Sequence, residues 1–338
     1  MEKVHKTIFD LVVEFKLSQE QIEDKEIMRF CYGYLKRYES GDWYQFLNGN
    51  GICELNKKDG TMITTVLTDE EFEPEFPLNC DVSISERCEN GCAFCYLNCT
   101  PNGKEADIKK FIKDKNSFLY SLHEGTELAL NGNEPLHKDL GLLLKFCQEK
   151  GVVANLTVSE NTLLKHIRQI NSWLKRGLLN GVGVSPTTYS AKMIKWCQDH
   201  PTAVIHTIAG ITGMPQYRKL YDKGLKILIL GYKDFGRGVK YANYNPGSIE
   251  NLINHLSDEV SDFVNHFEVV SFDNLAIAQL NPRNWLSDKE WETFYRGDDG
   301  HHTLYIDLVN ETFAKNSIQP KEEHKPLVSD IRDMLKEV

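Results

Sequence analysis

Between residues 79 and 230 the hydrophobic pattern alternates between two kinds of segment. Short apolar runs occupy 79–85, 127–131, 152–158, 181–185, 203–208 and 226–230. In the first, Val82 and Ile84 point one way while Asp81 and Ser83 point the other, the period-2 signature of a strand. Longer stretches with apolar residues at helical spacing separate them. One lies near 106–122, the next carries Leu140, Leu143, Leu144 and Cys147, and a third carries Leu163, Leu164, Ile167, Ile170 and Leu174. Helices over 190–199 and 215–223 complete the series. Strands alternating with helices predict an α/β fold, a parallel sheet and right-handed crossovers. In such barrels the reacting site sits at the C-terminal ends of the strands.

The flanks read differently. Ile8, Leu11, Val12 and Phe15, then Ile27, Phe30, Cys31 and Tyr34, predict helices within 1–36. Strands follow from Trp43 to Leu67, with turns at Asn48-Gly49, Asn50-Gly51 and Asp59-Gly60. An acidic linker runs from Thr68 to Glu75. These observations predict an N-terminal cap over 1–78, a core over 79–238 and a C-terminal extension over 239–338. In the extension, Ile249, Leu252, Ile253, Leu256 and Val260 mark a helix, and Val269 to Leu280 reads as a seventh strand. A hairpin follows, with arms Thr303–Val309 and Thr312–Lys315 around Asn310-Glu311. From about 319 the charged tail reads as a frayed end or a short helix. Trp285, Trp291, Phe294 and Tyr295, with the loop from Asp298 to His302, suit the wall of a substrate pocket or a cover over the apolar flank.

Composition narrows the classes. Of 338 residues 41% are hydrophobic and 26% charged, ordinary for a globular protein. The formal net charge of −10, without a Lys/Arg block, argues against binding duplex nucleic acid or an anionic membrane. No apolar run reaches the roughly 18 residues of a membrane span. Met1 to Lys6 shows no apolar core of signal-peptide type. Nine cysteines without such a signal predict reduced thiols, metal use and a cytoplasmic location.

The chemistry concentrates at Cys88, Cys92 and Cys95, spaced C-x3-C-x2-C on a loop leaving the C-terminal end of the first strand. Thiolates on one short loop can converge on a soft metal centre, and iron–sulfur clusters are held by such thiolates. Three thiolates on a four-iron cluster leave one iron open to other ligands. A zinc knuckle with Cys99 as fourth ligand is the alternative, as is an electron-transfer cluster. Structural zinc usually takes two separated pairs, and no second pair occurs.

These residues resemble the radical S-adenosylmethionine (SAM) superfamily, whose motif C-x3-C-x-aromatic-C follows the first strand of a partial (β/α)6 barrel. Cys88, Cys92, Phe94 and Cys95 match each position, and the resemblance covers roughly residues 79–235. It extends to less-characterised members from phage and Firmicutes genomes through the runs Phe94–Lys104 and Gly231–Gly238. The fold so implied is a partial (β/α)6 barrel with an N-terminal helix and β-hairpin cap and a C-terminal β-hairpin extension. The resemblance also implies one [4Fe–4S] cluster on Cys88, Cys92 and Cys95, the catalytic centre. SAM would chelate the open iron through its amino-acid end. An external electron donor of flavodoxin or ferredoxin type would drive cleavage of the sulfonium–C5′ bond. The resulting 5′-deoxyadenosyl radical takes hydrogen from an unreactive C–H of the substrate.

Further residues follow from the same resemblance. The run Asn131-Gly132-Asn133-Glu134-Pro135 is similar to the superfamily's G-G-E-P motif, with Asn133 in place of the second glycine. Glu134 can accept from the SAM ammonium, and Gly132 permits close backbone approach. Asn155, Thr157 and Ser159 run out along the third strand. Ser185 stands where the family often contacts ribose, a helix cap being its other reading. Ile208, with the apolar residues of 204–210 and 227–230, would meet adenine beside Phe94. His206 reads as a packed residue. Lys233 and Arg237 suit an anionic group or a plain surface turn. Cys99 reads as a packed or supporting thiol.

The substrate expected is a peptide or protein, since many family members with a C-terminal strand hairpin modify ribosomal peptides. Those members often carry extra clusters there, which the absence of any cysteine after Cys197 excludes in this chain. A nucleotide or nucleobase substrate, or a non-catalytic iron–sulfur or metal-binding role, are the alternatives.

Overall fold

The computed structural model of the chain describes residues 6–295 and 297–338. Contacts divide it into two compact units, Met1–Glu75 and Phe76–Val338. In the first, helices α1 (Ile8–Glu14), α2 (Gln19–Glu23) and α3 (Lys25–Ser40) precede strands β1 (Trp43–Asn48), β2 (Gly51–Asn56) and β3 (Met62–Val66). Thr7, Ser18 and Asp24 cap the three helices, their side chains accepting backbone N–H groups that the first turn leaves free. The strands form an antiparallel sheet in the order β1-β2-β3. Leu11, Cys31, Tyr34 and Ile52 make the small core. Glu54, fully buried on β2, is ion-paired with Arg37 and hydrogen-bonded by Gln45.

The second unit begins with β4 (Asn79–Ser83), α4 (Ile108–Lys113), β5 (Glu127–Gly132), α5 (Leu140–Lys150), β6 (Val153–Ser159) and α6 (Glu160–Lys175). It continues with β7 (Gly181–Ser185), α7 (Ala191–Gln198), β8 (Ala203–Ile208), α8 (Met214–Tyr217), β9 (Lys226–Leu230) and α9 (Arg237–Tyr244). Then come α10 (Ser248–Phe263), β10 (Val269–Phe272), α11 (Asn274–Leu280), α12 (Asp288–Phe294), β11 (Thr303–Asp307), β12 (Thr312–Ala314), β13 (Lys325–Pro326) and α13 (Ile331–Lys336). The result is a mixed α/β unit around one ten-stranded sheet, ordered β10-β9-β8-β7-β6-β5-β4-β11-β12-β13. From β10 to β11 every neighbouring pair is parallel; the pairs β11–β12 and β12–β13 are antiparallel, so β12 alone runs against the rest.

The strand alternation sorts two faces. Val82, Leu128, Leu130, Leu156, Val184, Ile205, Ile227 and Ile306 point to the main apolar core with the helices' buried residues. The opposite face carries Asp81, Glu127, Asn131, Asn155, Thr157 and His206, none of them counted among the fully buried residues.

Three expectations need correction. Val269–Leu280 is not one strand: Asp273 accepts from the Ala276 N–H and starts a helix, so β10 ends at Phe272. The helix expected over 215–223 stops at Tyr217, and the chain then turns through Asp222 and Gly224, both at positive φ. The stretch near 106–122 splits into α4 and a 3-10 turn at Phe118–Tyr120. The hairpin does form, but its first arm, β11, lies in the main sheet, parallel to β4. The tail ends in α13, whose Ile331 and Met334 are fully buried. Among the described residues, no helix is long and apolar enough to cross a membrane.

Candidate functional site

The cysteine loop leaves β4 at the C-terminal edge of the parallel strands, and its backbone is tied from three sides. From β5, Asn131 Oδ1 accepts the Ile84 N–H at 2.7 Å, and Asn131 Nδ2 and Asn133 Nδ2 donate to the Ser85 carbonyl at 2.9 and 2.7 Å. The Glu89 N–H donates to the Glu134 carbonyl at 2.7 Å, and the Cys88 N–H to the Thr100 carbonyl at 2.8 Å. From the far side comes Arg237. Its own N–H donates to the Cys95 carbonyl at 3.0 Å, Nε to the Cys92 carbonyl at 2.9 Å, and Nη1 to the Cys99 carbonyl at 2.7 Å. Gly236 makes this approach possible: its φ is +54°, and a Cβ there would stand 2.4 Å from the Tyr96 carbonyl oxygen.

The three thiols are half-exposed and free, whereas Cys31, Cys53, Cys80, Cys99, Cys147 and Cys197 are buried. Cys95 is held below the usual thiol range, first because the Cys99 thiol donates to it, then by the Cys99 N–H and the Arg237 charge, against the opposing effect of burial. Burial and the neighbouring Cys95 and Cys88 push Cys92 up. Cys99 is pushed up by its hydrogen bond to Cys95 and by burial, with Asn133 Nδ2 3.7 Å from its sulfur. Among the described residues, no group of three or more His, Cys, Asp or Glu is gathered tightly enough for a single metal ion. One tetrahedral zinc would draw its thiolates to about 3.8 Å of each other. A four-iron cluster takes one thiolate at each of three corners and asks for a wider triangle. Three partly exposed thiols on one pinned loop are, in their chemistry, a donor set that fits such a cluster.

The other expected residues divide by position. Phe94 packs edge-on against Tyr241, with ring centroids 5.8 Å apart. Gly132 ends β5, where a Cβ would stand 2.5 Å from Val158 Cγ1. Glu134 is 6% exposed, and its carboxylate is engaged by Lys165 and by His166 Nε2, the latter at 3.0 Å. Ser159 and Ser185 are register partners at the ends of β6 and β7. Ser159 caps α6 and Ser190 caps α7, so Ser185 is not used as a cap. Ile208 ends β8 opposite Leu230. Asn155 is not brought to the strand ends. It sits low on β6, opposite Ala129 and Gly181, and donates to Glu127. His206 lies over Gly183, where a Cβ would stand 2.3 Å from its ring, and burial lowers it to about 4, keeping it neutral.

Lys233, read from the sequence as suiting an anionic group or a surface turn, lies near carboxylates, and two further features, at Asp81 and Glu160, were not legible in the sequence. Lys233 is enclosed, with Nζ donating to Ser317 Oγ at 2.7 Å and lying 4.2 Å over the Tyr96 ring. Burial alone would lower its ammonium, but Tyr96, Asp81, Asp273 and Asp299 outweigh that and raise it. Asp81 is open to water-sized contact on the inner face of β4, yet protein surrounds it, and that burial pushes it up. Glu160, fully buried, accepts the N–H groups of Thr187, Thr188, Tyr189 and Ser190 at 2.7–3.0 Å. Burial would raise it, but the Ser190 side chain first and then these N–H groups prevail and hold it down at about 2. Compared with known proteins, the chain matches no family model and no curated protein.

Proposed function

We propose that the chain is a radical SAM enzyme with a partial (β/α)6 barrel formed by β4 to β9, holding one [4Fe–4S] cluster on Cys88, Cys92 and Cys95. The observation that carries this reading is the loop itself: three accessible thiols at the C-terminal end of β4, clamped by Arg237. The order of β4 to β9 in the sheet, sequential and parallel throughout, supports the barrel. With SAM and an electron from a flavodoxin- or ferredoxin-type donor, the cluster supplies a 5′-deoxyadenosyl radical that removes hydrogen from the substrate, a peptide or protein in our reading.

The chain's own residues do the positioning. Arg237 holds the loop by three carbonyls, those of Cys92 and Cys99 through its guanidinium and that of Cys95 through its backbone N–H, and leaves the thiols to bind the cluster. Glu134 presents a carboxylate to the SAM ammonium, which would share it with Lys165 and His166. Gly132 and Asn133 shape the backbone beside it, Ser185 offers a hydroxyl to ribose, and Ile208, Leu230 and Phe94 offer apolar surface to adenine. Asn155 acts lower down, through Glu127. Nine free cysteines suit a reducing cytoplasm.

Anaerobic reconstitution is expected to give about four irons per chain. With SAM and a strong one-electron reductant, the holoprotein then releases 5′-deoxyadenosine, and the triple variant Cys88→Ala, Cys92→Ala, Cys95→Ala loses both properties. About eight irons, or a cluster kept by the triple variant, refutes the single site. Iron without SAM cleavage makes the protein an electron carrier.

A further inference from the structure

A cleft of about 430 Å³ opens between the cysteine loop and the segment 317–324, and its walls include Tyr96, Tyr305 and Ser317. That volume suits a small molecule or a single side chain rather than a folded partner. The same three residues border the enclosed group around Lys233. Tyr96 lies beneath the ammonium, Ser317 accepts from it, and Tyr305 is the register partner of Asp81 across β11 and β4. On the other side of Asp81 the register partner is Ala129, so one flank of the carboxylate is left roomy.

The charged groups here are not equally engaged. Asp273 accepts from the Gly231 and Ala276 N–H groups at 2.8 and 2.7 Å, and Asp299 from Asn274 and Asn316 at 2.8 and 2.9 Å. Lys233 has Ser317. Among the described residues no N–H or O–H donates to the Asp81 carboxylate, although solvent reaches it. Two residues on along the same face, Ser83 is 3% exposed and its Oγ makes no hydrogen bond of ordinary geometry, the Tyr305 hydroxyl being the nearest candidate. Lys233 makes no close ion pair with Asp81, Asp273 or Asp299 among the described residues, and Asp81 alone of the three lacks a donor. Such a hollow recognises a ligand that brings both positive charge and N–H groups.

We infer a recognition site for an alkyl ammonium or guanidinium group on the inner face of β4 beside this cleft, with Asp81 as the anchoring carboxylate and the rings of Tyr96 and Tyr305, which line the cleft, flanking the alkyl stem. A free amine and the Lys or Arg side chain of a peptide share this chemistry. The site stands on the hollow alone; that its occupant is also the substrate rests on the radical SAM reading.

Calorimetry on the full chain tests it, with agmatine and N-acetyl-lysine methylamide as probes and N-butylacetamide as the neutral control. Binding of either cationic probe, at least tenfold tighter than the control, is expected. Preference for agmatine points to a free amine, preference for the lysine amide to a peptide side chain. Asp81→Asn should weaken binding tenfold or more, and Asp81→Glu should keep part of it. Should Asp81→Asn fail to fold, Ala129→Leu fills the space beside the carboxylate and is expected to abolish binding in its place. Equal binding by the neutral control, equal affinity in a folded Asp81→Asn, or no binding of either cation overturns the inference. Iron content and 5′-deoxyadenosine formation are measured separately, so a failure of the radical chemistry is distinguishable from a failure of this site.

Discussion

Arg237→Met isolates the clamp on the cysteine loop. It removes two hydrogen bonds from a charged donor, to the carbonyls of Cys92 and Cys99, and leaves the backbone N–H to Cys95 in place. A hydrogen bond to a charged group contributes about 1.5–3 kcal/mol net. The side chain is only half-buried, so the lower end applies, about 3 kcal/mol for the pair. That energy bears on local opening of the loop, and about 3 kcal/mol is roughly a hundredfold in the opening equilibrium. Cys99 reports on it directly. At 5% exposure it meets an alkylating reagent only when the loop opens, whereas Cys88 is already accessible. In cluster-free protein, followed by mass spectrometry, Cys99 should be alkylated about a hundred times faster in Arg237→Met, with Cys88 little changed. Arg237→Lys should fall between, since an ammonium cannot span both carbonyls. Iron uptake should weaken in the same order. Wild-type Cys99 reactivity together with wild-type iron content in Arg237→Met would sink the clamp.

Two further changes probe the frame around the site. Glu160→Gln should lower stability at neutral pH by about 3 kcal/mol, from a carboxyl shifted from 4.5 to about 2 in the folded state. Because the folded value is depressed, this contribution is present above about 4.5 and lost as pH falls through about 2. The wild type should therefore lose its advantage over the variant across that window in denaturant melts, and a constant difference down to pH 2 would contradict the assignment. Glu134→Gln should reduce SAM affinity about tenfold by calorimetry while iron content stays the same, the loss of one charge-assisted hydrogen bond of about 1.5 kcal/mol. Unchanged affinity takes Glu134 out of the site.

Much of the fold was legible because it is local. Each of β4 to β9 is a short apolar run bounded by polar or glycine residues, and the expected limits agree with those observed to within two residues. The failures also have local causes. Val269–Leu280 is two apolar runs around Asp273-Asn274, too short for periodicity to separate strand from helix; the signal was Asp273, whose capping role shows only once β10 fixes the backbone before it. Pairing is the part that local pattern cannot supply. Nothing in Thr303–Asp307 names β4 as its neighbour, and nothing in Glu160 announces four N–H donors from a loop nearly thirty positions away. At the site, the cysteine spacing was plain, but the role of Arg237 was not. A cation between two glycines reads as a loop that meets an anion; here it meets carbonyls, and the clue was Gly236, which permits contact with another backbone.

The place of β11 beside β4 has a consequence for how the protein is made. β4 gains one neighbour as soon as β5 emerges, but its other edge stays unpaired until Thr303–Asp307 is synthesised, and Glu86 meets Asn310 from 224 positions away. Until then the strand that leads into the cysteine loop presents free N–H and C=O groups to any other chain. A nascent or prematurely terminated polypeptide ending near residue 300 therefore carries all three thiols on an open sheet edge, the form most prone to wrong pairing and to capture by quality control. On the reading proposed above, metal loading of a correctly shaped loop would follow release from the ribosome, when the last strands have closed the seam.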